Sequence, residues 1–320
     1  MPERSTEPLL LAGTGFFKGH GLGNDYLVFE GMGTIAGSES VADAGWPVTP
    51  ATVRLVCHRH EGVGGDGIVI RLSGGGDGHR LRMFNPDGSE FERSGNGLRV
   101  FAAYLAAVGK APAGPFEVDT GGDTVPMELI REGEGGKHDV RVSMGRARTD
   151  PRAVGAQEKA PLTDSGGAVL DWQPVSVGNP HCVVFGQEAS DAEARRLGPH
   201  LETHAAFPHG VNVQVVQVVD GTADKPRIRV SVWERGVGIT SASGTSACAA
   251  ATACVERGDV PAGEVMVEMP GGTLRVEVTD DRSVTLQGPA REICRGALTD
   301  GFLARLEDAS ALRSGPESGG

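Results

Sequence analysis

The chain is poor in three features that would place it in common protein classes. Its five cysteines are an odd number and form no CxxC pair, which argues against a disulfide framework or structural zinc and indicates a reducing, cytoplasmic compartment. Asp and Glu outnumber Lys and Arg by 42 to 30, and this acidic balance argues against nonspecific nucleic-acid binding. No apolar run approaches the roughly 18 residues of a transmembrane helix, and the start of the chain is too weakly apolar for a secretory signal.

The length of 320 residues predicts two ordinary domains or one large one. Short alternating runs, broken by Gly, Pro and Asp, predict half-buried strands. They are Tyr26–Glu30, Gly67–Leu72, His79–Asn85, Val175–Val177 with Cys182–Phe185, Asn212–Val219, Arg227–Glu234, Val265–Met269 and Thr273–Val278. Residues 1–14 and 309–320 are expected to be loose tails.

Helices are few in this pattern. The predicted ones are Asn96–Val108, Thr245–Glu256, Ser190–Leu197 and a segment within Thr49–His60. A chain that is mostly strand with a few helices belongs to the α+β class.

The two central helices resemble each other. Each follows a strand and a turn, and each opens on a Ser-Gly pair, at Ser94 and at Ser243. The second carries almost only small apolar side chains, and a helix that is apolar all round is buried on all sides. We therefore expect two pseudo-symmetric domains, each a mainly antiparallel sheet wrapped around a central helix. Their expected limits are 15–140 with about 289–308, and 141–288, joined by a linker near 132–149.

A Gly-rich opening at a helix N-terminus exposes backbone N–H groups at the positive end of the helix dipole, which favours an anion such as a carboxylate. Either opening alone is equally explained as a tight turn or cap. A matched pair favours one carboxylate held by both.

Polar residues in turn-like contexts complete the set of candidates. Asn24, Asn85, Asn179 and Asn212 each lie beside Gly or Pro, where asparagine is commonly structural. Glu234 and Arg235 end a predicted strand before a Gly-Val-Gly turn. Glu234 could bind an amine and Arg235 a carboxylate. Alternatively, the two residues only form a solvated strand end.

Five stretches in order carry a resemblance to the diaminopimelate epimerase family. They are FKGHGLGNDYLVFE, FNPDGSEFERSGNGLRVFAAYL, VSVGNPHCVVF, FPHGVNVQVV and VWERGVGITSASGTSACAAATA, spanning residues 17 to about 253. The resemblance implies a cofactor-independent isomerase that inverts one α-carbon of LL-diaminopimelate to give the meso form. It also implies two similar domains, with the substrate in the cleft between them, and the use of neither metal nor pyridoxal phosphate.

The resemblance also implies roles for individual residues. Backbone N–H groups of Gly95, Asn96, Gly244 and Thr245 would hold the carboxylate at the reacting centre. The distal amino-acid end of the substrate would be held by Asn85, Asn179, Asn212, Glu234 and Arg235, with Arg235 on the carboxylate and Glu234 on the ammonium. Asn24 matches a further ligand position.

The sequence departs from the family at the two catalytic positions. The family has cysteines there, one acting as thiolate base and one as thiol acid, whereas this chain has Ser94 and Ser243. An alcohol ionises about 7 pH units above a thiol, on the order of 10 kcal/mol. A helix dipole contributes at most about 2 kcal/mol, so a serine cannot be the same unassisted base.

No neighbouring cysteine is expected to replace the missing thiols. Cys248 points about 140° away from Ser243 around the helix, and Cys182 alternates away from Asn179. Cys57 and Cys254 fit small buried hydrophobic residues.

Two histidines, His20 and His181, lie in matching motifs and could assist a serine, or could simply pack in turns. An engineered double Cys→Ser form would explain the serines. Three residues near these serines also differ from those usual in the family, and these differences favour natural divergence. They are Arg93, Ile239 and Ser246.

Three functions remain open from the sequence. The first is a diaminopimelate isomerase that uses Ser94 and Ser243. The second is a diverged epimerase, dehydratase or double-bond isomerase acting on another amino acid in a biosynthetic side pathway. The third is a catalytically dead amino-acid-binding homologue. In each case the expected partner is a small amino acid rather than nucleic acid or membrane, no cofactor is expected, and a homodimer is left open.

Overall fold

The structure, a computed structural model, describes residues 14–32, 44–73, 78–91, 93–132, 136–158, 161–186, 188–222 and 225–311. Five α-helices lie in these ranges: α1 (Pro50–Cys57), α2 (Gly95–Ala107), α3 (Asp191–Glu202), α4 (Gly244–Arg257) and α5 (Asp300–Ala311). One turn of 3-10 helix spans Pro151–Val154. None of the helices in these ranges is long and apolar enough to cross a membrane.

Strands make up most of the regular structure. In chain order they are β1 (Gly15–Gly21), β2 (Asn24–Met32), β3 (Gly67–Ser73), β4 (His79–Phe84), β5 (Glu90–Phe91), β6 (Phe116–Asp119), β7 (Thr124–Glu132), β8 (Lys137–Arg146), β9 (Leu162–Thr163), β10 (Val169–Ser176), β11 (Pro180–Phe185), β12 (Asn212–Thr222), β13 (Lys225–Glu234), β14 (Gly238–Thr240), β15 (Gly263–Met269), β16 (Gly272–Val278) and β17 (Ser283–Ala297).

The chain forms two compact units. Among the described residues, the first unit comprises those within 14–21, 25–140 and 290–311, and the second those within 22–24 and 141–289. Both units repeat one order of elements: strand, helix, parallel strand, antiparallel strand, short strand, buried helix, and a further antiparallel pair. The α+β class and the pseudo-symmetry expected from the two Ser-Gly helices are confirmed.

In the first unit β2 runs parallel to β3, β3 antiparallel to β4, and β4 parallel to β6. Helix α2 contacts β1, β3 and β7, and eleven of its thirteen residues are buried. Side chains alternate across β2, so Leu27 and Phe29 enter a hydrophobic cluster with residues of α1 and α5, such as Val53 and Leu306, while Tyr26 lies against α2.

In the second unit β11 runs parallel to β12, β12 antiparallel to β13, and β13 parallel to β15. Helix α4 contacts β10, β11, β12, β13, β15 and β16, and ten of its fourteen residues are buried. The surface of α4 is rich in alanine, and its small side chains allow the backbones of these six strands to pack close to the helix backbone. Helix α3 covers β12 and β13 from outside, with Leu197 and Leu201 in the core.

The four predicted helices and the predicted strands are confirmed, most with small shifts at their ends. One exception is β10, which begins at Val169, well before the predicted Val175. Helix α3 continues beyond the predicted end at Leu197 because Gly198 leaves room for the Trp233 ring. A Cβ at Gly198 would lie 2.2 Å from Trp233 Cγ. The following Leu201 is fully buried, which holds this last turn in the core.

Two expectations were wrong. The chain passes from the first unit to the second at Val140/Arg141, within the predicted linker at 132–149, but this segment is mostly a strand, β8, whose alternate residues Val140, Val142 and Met144 are buried. Helix α5 runs to Ala311, three residues into the predicted C-terminal tail, because it packs on α1. The rest of both predicted tails, apart from Thr14, lies outside the described residues.

Candidate active site

Helix α2 begins at Ser94, which is its N-cap. The Ser94 Oγ accepts a hydrogen bond from the backbone N–H of Gly97 at 3.1 Å, and the side chain is only half-buried. The first N–H groups of a helix have no carbonyl partner within the helix, and here they belong to Gly95 and Asn96. This end of the helix can therefore receive a carboxylate.

A fully buried arginine stiffens the same helix end. Arg99 Nε donates to the carbonyl oxygen of Gly95 at 3.1 Å, and its guanidinium also donates to Asn96 Oδ1. The guanidinium lies over Gly21, where a Cβ would come within 2.7 Å of Arg99 Nη2. A positive charge thus sits beneath the helix terminus and adds to its attraction for an anion.

Helix α4 begins in the same way at Ser243. The Ser243 Oγ accepts from the backbone N–H of Ser246 at 3.4 Å and lies 3.4 Å from Thr245 Oγ1. Ser243 is buried, in contrast to the half-buried Ser94. The two helix starts are therefore alike in capping and different in solvent access.

The turn before β11 is tied to the start of α4. Asn179 Nδ2 donates to Thr245 Oγ1 at 3.5 Å, and Asn179 Oδ1 lies 2.9 Å from His181 Nε2. Complete burial, reinforced by the charge of Arg235, lowers the pKa of His181 to about 3. His181 is therefore neutral and a weak base, and it bonds the asparagine rather than Ser243.

Asn212 joins the start of β12 to two neighbouring turns. Its Oδ1 accepts from the backbone N–H of Arg235 at 3.0 Å, and its Nδ2 donates to the carbonyl oxygen of Pro180 at 2.9 Å. Asn212 is buried. One asparagine thus fixes the segments that carry Arg235 and Asn179.

Glu234 and Arg235 lie at the end of β13, as predicted, where the chain turns into β14. Arg235 is exposed, and its Nη1 donates to the carbonyl oxygen of His209 at 2.8 Å. Its Nε and Nη2 donate no hydrogen bond to the described residues. These two nitrogens form a fork that matches the two oxygens of a carboxylate.

Asn24 is the first residue of β2, directly after a turn, and Asn85 lies in a turn. Asn24 follows Leu22 and Gly23, which have φ of 56° and 96°. That turn packs on Gly271, whose backbone N–H donates to the carbonyl oxygen of Ser241 just before α4. Asn85 lies between β4 and β5, where its Nδ2 donates to Ser89 Oγ at 2.9 Å, the structural role that asparagine commonly has in turns.

The structure thus connects five of the expected residues in the second unit: Asn179, Asn212, Arg235, Ser243 and Thr245. It places Ser94, Gly95 and Asn96 on the start of α2. Two residues at the start of α2 were not among the expected ones: Arg99, which donates to Gly95, and Tyr26, whose Oη lies 3.1 Å from Ser94 Oγ. The signal for Arg99 was a cation in an otherwise apolar helix, four residues after Gly95.

Most cysteines of the chain lie in its core. Cys57, Cys182, Cys248 and Cys254 are buried, and Cys294 is exposed. Burial raises the pKa of Cys57 and of Cys254 to about 12. Burial also raises the pKa of Cys182 well above its ordinary value. The expectation that these cysteines are inert core residues is confirmed for Cys57 and Cys254.

Comparison with known proteins identifies the family. The sequence model described as diaminopimelate epimerase matches residues 16–149 and 174–293. The chain belongs to the diaminopimelate epimerase family. A diaminopimelate epimerase from Desulforudis audaxviator is 40% identical over 287 residues, covering 88% of this chain and 98% of that protein. One from Moorella thermoacetica is 38% identical over 293 residues, with the same coverage of each chain.

Solved structures with the same fold share little sequence with this chain. A hydroxyproline epimerase from Agrobacterium vitis, solved with trans-4-hydroxy-L-proline, aligns with a TM-score of 0.61 at 15% identity over 89% of this chain and 90% of that one. A phenazine biosynthesis protein from Bacillus anthracis aligns with a TM-score of 0.62 at 14% identity over 89% of this chain and 99% of that one. At these identities the likeness shows the fold alone.

Proposed function

We propose that this member of the diaminopimelate epimerase family is a cofactor-independent amino-acid isomerase that interconverts LL- and meso-diaminopimelate. Relatives named for that activity, similar over nearly their whole length, support the substrate. The observation that carries the chemistry is the pair of equivalent helices, each beginning at a capping serine. Inverting one carbon needs a proton acceptor and a proton donor, and a duplicated helix start supplies two similar groups.

In this proposal Ser94 and Ser243 exchange the α-proton. The N–H groups of Gly95, Asn96, Gly244 and Thr245 hold the carboxylate at the reacting carbon. The distal end of the substrate is bound by Asn85, Asn179, Asn212, Glu234 and Arg235, with Asn24 as a further ligand. The exposed fork of Arg235 supports its assignment to the distal carboxylate.

The serines need help that cysteines would not. The backbone N–H bonds to both Oγ atoms and the charge of Arg99 near α2 favour a partial negative charge on oxygen. This help is small against the roughly 10 kcal/mol that separates an alcohol from a thiol. The proposed enzyme is therefore slow, with altered catalysis relative to cysteine-bearing members.

Proton exchange tests the proposal. The protein is incubated with LL- or meso-diaminopimelate in D₂O, and loss of the α-proton signal is followed by NMR. Ser94→Cys/Ser243→Cys is measured beside it. Exchange by the native protein supports the serine mechanism. Exchange by the double variant alone means that the binding residues are competent and the native chemistry is different, which directs the search to other amino acids or to a binding role.

The substrate in this proposal is a free amino acid of the cytoplasm. A homodimeric state is a separate expectation. Sedimentation or light scattering of the purified protein, with and without diaminopimelate, measures it directly.

A further inference from the structure

A tyrosine hydroxyl lies against the serine at the start of α2. Tyr26 Oη and Ser94 Oγ are 3.1 Å apart, and either atom can be the donor. Ser94 Oγ also accepts the N–H of Gly97 at 3.1 Å. Ser94 therefore has a phenol as its side-chain partner, and no histidine or carboxylate bonds it in the described part of the chain.

The tyrosine ring is held from two sides by glycines. A Cβ at Gly67 would lie 2.4 Å from Tyr26 Cε1, and a Cβ at Gly97 would lie 3.2 Å from the same atom. Gly67 is the residue that pairs with Tyr26 between β2 and β3, and Gly97 is in the first turn of α2. Because neither glycine has a side chain, there is space between them for the Tyr26 ring, and Tyr26 is only 6% exposed. The hydroxyl is thereby aimed at the helix start.

We infer that Tyr26 is a positioning residue that exchanges protons with Ser94, so that the tyrosine and serine act as one acid–base unit. The inference rests on the proposed function and names what supplies the help that Ser94 needs. Tyr26 acts through Ser94 and is assigned no contact with substrate.

The chemistry of the two hydroxyls favours this pairing. A phenol ionises at a pKa of about 10, whereas an alcohol is close to bulk water at about 15.7. When Ser94 acts as acid, its proton goes to the α-carbanion, forming a C–H bond, and the Tyr26 proton replaces it on Ser94, leaving a phenolate. In the reverse step the α-C–H bond breaks, its proton goes to Ser94, and the Ser94 proton returns to the phenolate. The electron pair stays on the α-carbon and its carboxylate.

The first test combines Tyr26→Phe with two backgrounds. In the native background we expect Tyr26→Phe to lower kcat for α-proton exchange about 100-fold, a typical size for acid–base help, with KM changed less than about threefold. In Ser94→Cys the thiol is a much stronger acid than serine and needs less help, so Tyr26→Phe lowers kcat no more than about tenfold. Equal losses in both backgrounds mean that Tyr26 is only structural, and no loss in either means that it takes no part. Both overturn the inference.

Tyr104→Phe is the matched control. Tyr104 is a buried tyrosine of α2 that donates to Glu30, so the same change is made on the same helix away from Ser94. We expect it to affect thermal stability and leave the ratio of kcat between the two backgrounds unchanged.

A second measurement separates failure of this inference from failure of the proposed function. In Ser94→Cys/Cys294→Ser, alkylation by iodoacetamide is followed against pH by mass spectrometry, with and without Tyr26→Phe. A phenol that donates to the thiolate lowers the pKa of the thiol, so removing it raises that pKa by about 1. An unchanged pKa overturns the inference even if the protein epimerises diaminopimelate. A raised pKa in a protein without exchange keeps the Tyr26 contact and rejects the substrate.

Discussion

The backbone N–H of Arg235 donates a hydrogen bond of 3.0 Å to Asn212 Oδ1. This bond fixes the backbone at the end of β13 and thereby the position from which the Arg235 side chain extends. The same asparagine binds the carbonyl oxygen of Pro180, so it holds two loops with one amide. A buried amide with both ends paired is a rigid link between loops that would otherwise move independently.

Removing this link is expected to weaken substrate binding. Asn212→Ala leaves the Arg235 N–H without its acceptor and allows the arginine to drift. We expect KM for diaminopimelate to rise about tenfold, the equivalent of about 1.4 kcal/mol and within the usual cost of an unmet buried hydrogen bond. Gln217→Ala removes an amide from the same strand, away from these loops, and is the control. A KM unchanged by Asn212→Ala would remove Asn212 and Arg235 from the proposed distal site.

Substitutions of Ser94 and Ser243 are expected to distinguish the role of each serine as a helix cap from its role in proton transfer. Ser94→Ala and Ser243→Ala should each cost about 1 kcal/mol of stability as lost N-caps, whereas the corresponding Gly variants should cost only about a few tenths. All four should lose α-proton exchange. Urea unfolding gives the stability, and NMR in D₂O gives the exchange. Exchange that survives in both Gly variants would show that the serines carry no proton.

The close contact between Gly198 and the Trp233 ring predicts that adding one methyl group at Gly198 lowers stability strongly. In Gly198→Ala the new Cβ meets the Trp233 ring, so we expect a loss of about 2–3 kcal/mol in the free energy of unfolding. Gly301 is also helical but has nothing within 4 Å, and Gly301→Ala should be neutral or stabilising by up to about 1 kcal/mol. Similar unfolding curves for the two variants would contradict the packing of α3 on β13.

His181 is expected to contribute to acid unfolding. Its pKa in the folded protein is lowered to about 3 by burial, below its ordinary value of 6.5. Between these values the unfolded chain binds a proton that the folded chain does not, so stability falls as the pH falls. The slope for one proton is about 1.4 kcal/mol per pH unit. Urea unfolding from pH 4 to 6 should show a slope smaller by this amount in His181→Gln. Parallel curves would mean that His181 is protonated in the folded state.

Local pattern in the sequence was enough for much of the fold. The serine caps and apolar periodicity located α2 and α4, because helix starts and buried faces depend on residues only three or four positions apart. The near repeat of these two segments predicted the pseudo-symmetry. The long strands β8 and β17 were missed, because their pairing depends on partners far away in the chain.

For the site, the amino-acid pattern alone shows which residue types are available: two serines at the starts of similar helices, a set of asparagines, and a Glu-Arg pair. The partners of these residues depend on how the chain folds. In the folded chain the Tyr26 hydroxyl contacts Ser94, and the Arg99 side chain is buried near the start of α2. His181 is buried, which lowers its pKa to about 3. These properties could not be predicted from local sequence, because pKa and hydrogen bonding depend on the surroundings of a side chain, and those surroundings come from segments distant in sequence.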